Sequence, residues 1–273
     1  MTVALLDAST VILLRRTTNK ATPKFEVLMV LRNSKSVFVP SAYVFPGGKV
    51  ERDDCLPNIE NYCNKDDLVK AKSVLEEISS SQAALGIWIA AIRETFEEAG
   101  LLLAYKSDGT IPSFSHEKTE QKLREYRTAI NNGNFKFVNM LKKENFMPAF
   151  DRLHYFSHWI TPELSPLRYD TRFFVTEMPE NQNALHDGDE VIKHVWINPA
   201  QALQKYSEQK FFMVAPTIVT LEELCQFETI EEVIGSTKNK KVKATLTHMT
   251  FEKNEIQEQT PDGRIFRAVI TSD

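Results

Sequence analysis

The stretch Arg93-Glu94-Thr95-Phe96-Glu97-Glu98-Ala99-Gly100 carries three glutamates at the end of a predicted helix. The helix is predicted over about 83–99, because apolar residues recur at helical spacing and Gly100 is a natural left-handed terminator. The apolar stripe consists of Leu85, Trp88, Ile89, Ile92, Phe96 and Ala99. At about 100° per residue, Glu94, Glu97 and Glu98 fall together on the opposite face.

Such an acidic face is unfavourable for a helix that makes no use of it. Glu94 and Glu98 form a like-charge pair four residues apart, which costs roughly a few tenths of a kcal/mol. The helix macrodipole also disfavours negative charge near the C-terminus. One interpretation is a solvated acidic surface in which Arg93 pairs with Glu97. The other is a site for a hard divalent cation, whose carboxylate ligands help to clamp a phosphate.

The context of the helix resembles the box of the Nudix hydrolases, G-x5-E-x7-R-E-U-x-E-E-x-G-U, where U is a bulky apolar residue. The second half of the box matches over 93–101, with Thr95 as the soft position, and Phe45-Pro-Gly-Gly48 supplies the opening glycine. The first half departs from the pattern. Its acidic position is Asp54, and Glu51, which also follows the glycine pair, is placed to share that role. Asp54 lies 39 positions before Arg93 where the box has 8, so 31 residues are inserted.

A split box of this kind is similar to the acyl-coenzyme A diphosphatase branch of the family, the Nudix motif 19 type. The run 90–103 carries this likeness together with the stretches 25–32, 43–48, 159–162 and 170–174, and the likeness extends over about residues 8–216. It implies an α/β fold, the Nudix α/β/α sandwich with a mixed sheet. The expected bounds are 1–235 for the Nudix hydrolase domain, with an insertion at about 55–83, and 236–273 for a C-terminal appendage packed on the same domain.

The resemblance implies metal-dependent hydrolysis of the diphosphate in coenzyme A or acyl-CoA. The products would be 3′,5′-ADP and 4′-phosphopantetheine or its acyl form. A Nudix box selects a diphosphate and not what is attached to it, so the substrate rests on resemblance alone. Two alternatives stay open: another Nudix substrate, such as a nucleotide sugar, a dinucleotide or an RNA cap, and a non-catalytic Nudix binding module.

The same resemblance assigns roles to individual residues. Glu94, Glu97, Glu98 and the carbonyl of Gly48 are the implied ligands of Mg²⁺ or Mn²⁺. The implied catalytic residues are Glu97, Glu98 and Glu190, and Glu98 and Glu190 are alternative general bases. Arg93 has a supporting role, in which it orients Glu97 through an i,i+4 pair.

Phosphate contacts require cations. Arg32 is the best candidate, because its predicted strand leads towards the Gly-Gly loop. Lys49 and Arg172 are further candidates for substrate binding. For Arg172 the alternative is an ion pair with Asp170. The insertion interrupts the box between the glycine loop and the metal helix, so we expect it to act as a lid or a specificity element.

Composition sets outer limits on the function. The 273 residues are 42% hydrophobic and 26% charged with a net charge of −4, which is typical of a globular protein and not of a strongly basic nucleic-acid binder. No apolar run approaches the ~20 residues of a membrane span. Three scattered cysteines indicate reduced thiols and an intracellular location, cytoplasmic or organellar. The expected partner is a small-molecule diphosphate, and the oligomeric state is left open.

Hydrophobic periodicity predicts strands interleaved with helices, which is typical of an α/β layered domain. The predicted strands cover 9–14, 25–31, 153–160, 171–177 and 191–197. The other predicted helices cover 66–79, 116–131, 137–145, 199–206 and 216–227. A β-hairpin is predicted around Pro261-Asp-Gly263.

Overall fold

The computed structural model describes residues 3–17, 24–55, 65–75, 77–78, 80–114, 117–252 and 255–269. Within these residues the strands are β1 (Leu5–Arg16), β2 (Phe25–Arg32), β3 (Tyr43–Val44), β4 (Gly47–Lys49), β5 (Ala104–Tyr105), β6 (Met147–Pro148), β7 (His154–Ile160), β8 (Arg168–Glu177), β9 (Val191–Ile197), β10 (Ala244–Leu246), β11 (His248–Glu252), β12 (Glu255–Gln259) and β13 (Ile265–Val269). The helices are α1 (Lys65–Val74), α2 (Ser81–Ala99), α3 (Glu117–Asn131), α4 (Phe137–Glu144), α5 (Pro199–Ser207), α6 (Ala215–Leu224) and α7 (Ile230–Thr237).

The centre of the fold is a mixed sheet that has eight strands in the described part of the chain. Its order is β10-β7-β8-β1-β2-β3, with β4 also paired to β1 and β9 also paired to β2. The β1–β8 and β10–β7 pairs are parallel, and the other pairs are antiparallel. This topology brings the Gly-Gly strand β4 alongside the N-terminal part of β1.

Helices cover both faces of the sheet. Alternate residues of β1 point to opposite faces, so Val11 and Leu13 pack in one core and Ile12 and Leu14 in the other. The first core contains apolar residues of α1, α2, α3 and α4, and the second contains those of α5, α6 and α7. The predicted α/β/α sandwich with a mixed sheet is therefore confirmed.

The long helices and strands agree with the periodicity of apolar residues in the sequence. The shortest strands could not be predicted from that periodicity. The strand predicted over 191–197 is β9, and the helix predicted over about 83–99 is α2. Strands of two or three residues, such as β3, β4 and β10, carry too few residues to show a period. They form because a neighbouring strand offers them hydrogen bonds.

The second half of the predicted insertion belongs to the core. Helix α1 buries Leu68 and Ala71 against α2, and Leu75 follows it with no exposed surface. The indole Nε1 of Trp88 donates to the carbonyl of Ala71 at 3.2 Å. The expectation of a lid is therefore wrong for residues 65–75, because moving this helix away would expose its buried apolar surface to water at a high cost in free energy. Residues 56–64, which include Cys63, lie outside the described residues.

The C-terminal segment adds to the same sheet before it forms one of its own. Strand β10 pairs in parallel with β7, and β11, β12 and β13 form an antiparallel sheet. The hairpin predicted around 261–263 is present between β12 and β13, and Gly263 adopts a φ of 88° in its turn. Among the described residues, no helix combines the length and the apolar character that a bilayer crossing needs.

Candidate active site

Helix α2 is anchored at both ends and in the middle. The Ser80 side chain caps its first turn, and Gly100, with a φ of 70°, ends it. The hydroxyl of Ser9 donates to the carbonyl of Ile87 at 2.5 Å, which ties the helix to β1. The acidic face is not solvated, since Glu94 is 8% exposed and Glu98 is 3% exposed. The interpretation as a solvated surface is wrong for these two glutamates.

The glycine pair lets the backbone of β4 touch the acidic helix. The amide of Gly47 donates to Oε2 of Glu98 at 2.8 Å. A Cβ on Gly48 would overlap the carboxylate of Glu94, and a Cβ on Gly47 would overlap the carbonyl of Ser9. Position 47 therefore requires glycine, because the clash is with backbone, and a Cβ at Gly48 would displace the carboxylate of Glu94.

Arg93 organises the carboxylates around it. Its guanidinium holds both oxygens of Asp54, with Nε–Oδ1 at 2.9 Å and Nη2–Oδ2 at 3.0 Å. Nη1 donates to Glu94 at 2.8 Å and to Glu97 at 3.1 Å, so the predicted i,i+4 contact is present. Nη2 also donates to the carbonyl of Lys49 at 2.9 Å.

The inserted residues do not separate the two halves of the box in space. A short 3₁₀ turn over Arg52–Cys55 brings Asp54 under Arg93, where Asp54 is 1% exposed. Its Oδ2 also accepts the backbone N–H of Glu51 at 2.7 Å. Of the two candidates for the first acidic position, Asp54 is the one that joins the cluster through its side chain. Its contacts are with the arginine and a backbone amide.

Arg32 lies between the two candidate bases. Its Nη2 is 2.9 Å from Oε1 of Glu190, and its Nη1 is 4.0 Å from Oε1 of Glu98. The loop that carries Glu190 is shaped by Asp187, whose Oδ1 accepts the amides of Asp189 and Glu190 at 2.6 and 2.8 Å. The tertiary structure thus brings together residues that are far apart in the sequence.

Burial disfavours the charged forms of the three glutamates on α2. It raises the pKa of Glu94 to about 7, against the opposing effect of Arg93. Burial and the nearby charge of Glu94 hold the pKa of Glu98 well above its usual range. Burial also raises the pKa of Glu97, and Arg93 limits that rise. Carboxylates in this state are stabilised by any cation that reaches them.

The chemistry of the donors fits a hard divalent cation. Oε1 of Glu98 is buried and has no hydrogen-bond partner among the described residues, so a ligating oxygen is left over. No group of three acidic, histidine or cysteine side chains in the described part of the chain is arranged to hold an ion as it stands. Arg93 occupies one oxygen of Glu94 and one of Glu97. A cation would therefore have to draw these two carboxylates partly away from the arginine.

Two of the residues predicted to bind the substrate are not part of the glutamate cluster: Arg172 is held in a separate ion pair, and Lys49 is exposed to solvent. Arg172 is 1% exposed, and its Nη1 donates to Asp7 at 2.7 Å and lies 3.2 Å from Asp170. The structure therefore shows the alternative predicted for Arg172, an ion pair with Asp170, and this pair occupies its guanidinium. The side chain of Lys49 is 57% exposed, and its nearest ionic partner is Glu51 at 3.9 Å.

Arg127 is a site residue that the sequence reasoning missed. It is 8% exposed, and its Nε donates to the carbonyl of Glu97 at 2.9 Å, which places a positive charge at the C-terminal end of α2. Its Nη2 is buried without a hydrogen-bond partner among the described residues. The available signal was its position, because Arg127 lies on the buried stripe of α3 between Leu123 and Ile130.

Comparison with solved structures defines the class. A NUDIX hydrolase from Alicyclobacillus acidocaldarius has a similar structure, with a TM-score of 0.66 over 86% of this chain and 97% of that chain. The two sequences are 22% identical, so the likeness shows the fold alone. The fold is that of the Nudix hydrolases.

Comparison of sequences narrows the class to a family. The model described as the NUDT19 Nudix domain matches residues 68–224, and the chain belongs to this family. A protein of Xenopus laevis named acyl-coenzyme A diphosphatase NUDT19 is 31% identical over 238 residues, which cover 78% of this chain. Its Gallus gallus counterpart is 28% identical over 243 residues, or 77% of this chain. In both cases the match spans 63% of the relative's length.

Proposed function

We propose that the protein hydrolyses a diphosphate bond with the help of Mg²⁺ or Mn²⁺ held by Glu94, Glu97 and Glu98. The observation that carries this proposal is the buried Oε1 of Glu98, which has no hydrogen-bond partner among the described residues. It lies on a helix whose glutamates are buried and have raised pKa values. Burying an excess of carboxylates is costly unless the site is used with a cation.

Each residue of the chain has a distinct task in this proposal. When bound, the cation supplies charge neutralisation at the diphosphate and lowers the pKa of a water. Arg93 positions Glu94 and Glu97, and the amide of Gly47 fixes Oε2 of Glu98 so that Oε1 is presented for ligation. The carbonyl of Gly48 lies on the same strand and is a further candidate ligand.

Arg32 and Glu190 form the second half of the mechanism. Arg32 is well placed to grip a phosphate oxygen, because a guanidinium matches the geometry of phosphate. In the structure it is paired with Glu190 at 2.9 Å. When a phosphate takes over the guanidinium, the carboxylate of Glu190 loses that partner and becomes available to accept a proton from water. We therefore assign Glu98 as a ligand and Glu190 as the general base.

For the substrate we propose coenzyme A or an acyl-CoA, cleaved to 3′,5′-ADP and 4′-phosphopantetheine or its acyl form. Support comes from the two relatives whose names describe acyl-coenzyme A diphosphatases. The net charge of −4 favours a small-molecule substrate over a nucleic acid. A different Nudix diphosphate would use the same glutamates and differ only in the groups around Arg32.

Product analysis after incubation with coenzyme A and Mg²⁺ tests both parts of the proposal. Chromatography with mass detection should find 3′,5′-ADP and 4′-phosphopantetheine in equal amounts, and on the order of 10²-fold less of both with Glu98→Gln. Dephospho-CoA, ADP-ribose and a diadenosine polyphosphate form the comparison panel. Cleavage of another panel member in preference to coenzyme A would refute the substrate. No cleavage of any member by the wild type would refute the hydrolase.

A further inference from the structure

A second concave site lies on the face of the sheet opposite α2. A cavity of about 320 Å³ is bounded by β7, by α6, by the segment leading into β10 and by the turn between β12 and β13. Its volume is at the small end of the ~300–1,000 Å³ that is typical of ligand pockets. The side chains of β7 that line it, such as Phe156 and Trp159, belong to the core that contains α6 and α7. The cavity is therefore separate from the glutamate cluster.

Two buried donors on β7, in residues that line the cavity, lack an acceptor. The register of β7 shifts between Tyr155 and Ser157, which sets Ser157 opposite Phe173 and Trp159 opposite Thr171 on one face of the sheet. Trp159 is 7% exposed. Neither its Nε1 nor the Oγ of Ser157 has a hydrogen-bond partner among the described residues. An indole N–H can only donate, so the site calls for an acceptor.

The charge around the cavity is also unbalanced. Lys240, Lys241, Lys243 and Arg264 line it, against the carboxylates of Glu223 and Asp262. Lys240 pairs with Glu223 and lies 3.9 Å above the ring of Phe156, and Arg264 pairs with Asp262 and Glu222. Lys241 and Lys243 are exposed and have no ion pair within the described residues. Two cations therefore remain for an anion that enters the cavity.

We propose that this cavity binds a small molecule in which an oxyanion, phosphate or carboxylate, is attached to an apolar group. Lys241 and Lys243 attract the oxyanion, and the donors of Trp159 and Ser157 complete its hydrogen bonds. The apolar group packs against Val219, which lines the same cavity. Because the cavity joins the C-terminal segment to β7, a bound ligand also holds that segment against the sheet.

Fluorine NMR on the full chain labelled with 5-fluorotryptophan tests the proposal. The chain has three tryptophans, and Trp159→Phe identifies the resonance of Trp159. Phenyl phosphate and benzoate are the probes. A probe that binds in the cavity should change the fluorine chemical shift of Trp159 saturably. The chemical shift of Trp88, which lies in the other core, should not change. The tighter of the two probes identifies the oxyanion as phosphate or carboxylate.

Charge variants provide the decisive comparison. Lys241→Gln/Lys243→Gln should weaken binding about tenfold or more, because both charges contact the anion. The matched control Lys65→Gln/Lys118→Gln removes the same charge from exposed positions on α1 and α3 and should bind as the wild type does. Glu98→Gln should also leave binding unchanged. No saturable shift up to about 20 mM of either probe, or an equal loss in the control or in Glu98→Gln, would overturn the proposal.

Discussion

The ionisation of Glu94 should make the stability of the metal-free protein fall as the pH rises. Its pKa is raised from the ordinary 4.5 to about 7, chiefly by burial. Because the folded-state pKa is raised, the contribution to stability is fully present below about pH 4.5 and is lost as the pH rises through about 7. The difference corresponds to roughly 3 kcal/mol, at about 1.4 kcal/mol for each pH unit. Glu98, whose pKa is also raised, acts in the same direction.

Urea unfolding in EDTA, followed by circular dichroism at pH 5 and at pH 8, measures this effect. The matched variant Glu94→Gln keeps the shape of the side chain and removes its titration. The fall in unfolding free energy between the two pH values should be smaller in the variant by an amount on the order of 3 kcal/mol. At pH 8 in EDTA, the variant should be the more stable protein. Equal pH dependence in both proteins would show that Glu94 ionises at no cost, and the argument from burial would be wrong.

The remaining predictions concern turnover, selectivity and the insertion. Glu97→Gln and Glu98→Gln should stay folded and lose activity on the order of 10²-fold or more, and near-normal turnover of both at saturating Mg²⁺ would contradict their assignment as ligands. Arg32→Ala should lower kcat/KM by a similar factor on coenzyme A and on dephospho-CoA, equivalent to roughly 1.5–3 kcal/mol, because Arg32 lies beside Glu98 and Glu190; a loss confined to coenzyme A would place Arg32 at the 3′-phosphate and contradict this role. Leu75→Ala should lower the free energy of unfolding by about 2–5 kcal/mol in urea, and Val69→Ala, at a position that is 69% exposed, should lower it by little. Equally small effects of the two variants would contradict the placement of residues 65–75 in the core.

Much of the candidate site follows from short-range patterns that the sequence contains by itself. The period of the apolar residues places 83–99 on a helix, and the same period puts Glu94, Glu97 and Glu98 on one side of it. The i,i+4 contact from Arg93 to Glu97 is a property of the helix alone. Strands β2 and β9 are long enough to show their own pattern. In each case the interacting residues are neighbours along one element, so their geometry is set locally.

The tertiary structure decided everything that joins distant segments. It placed Asp54 on Arg93 in spite of the inserted residues, and it enclosed Arg172 in an ion pair with Asp7 and Asp170. It also set Arg127 at the end of α2, where α3 packs against it. A charged residue on a buried stripe signals that it has a partner but does not name that partner. Which face of the acidic helix is covered, and by what, depends on the order of strands in the sheet, and no local period encodes that order.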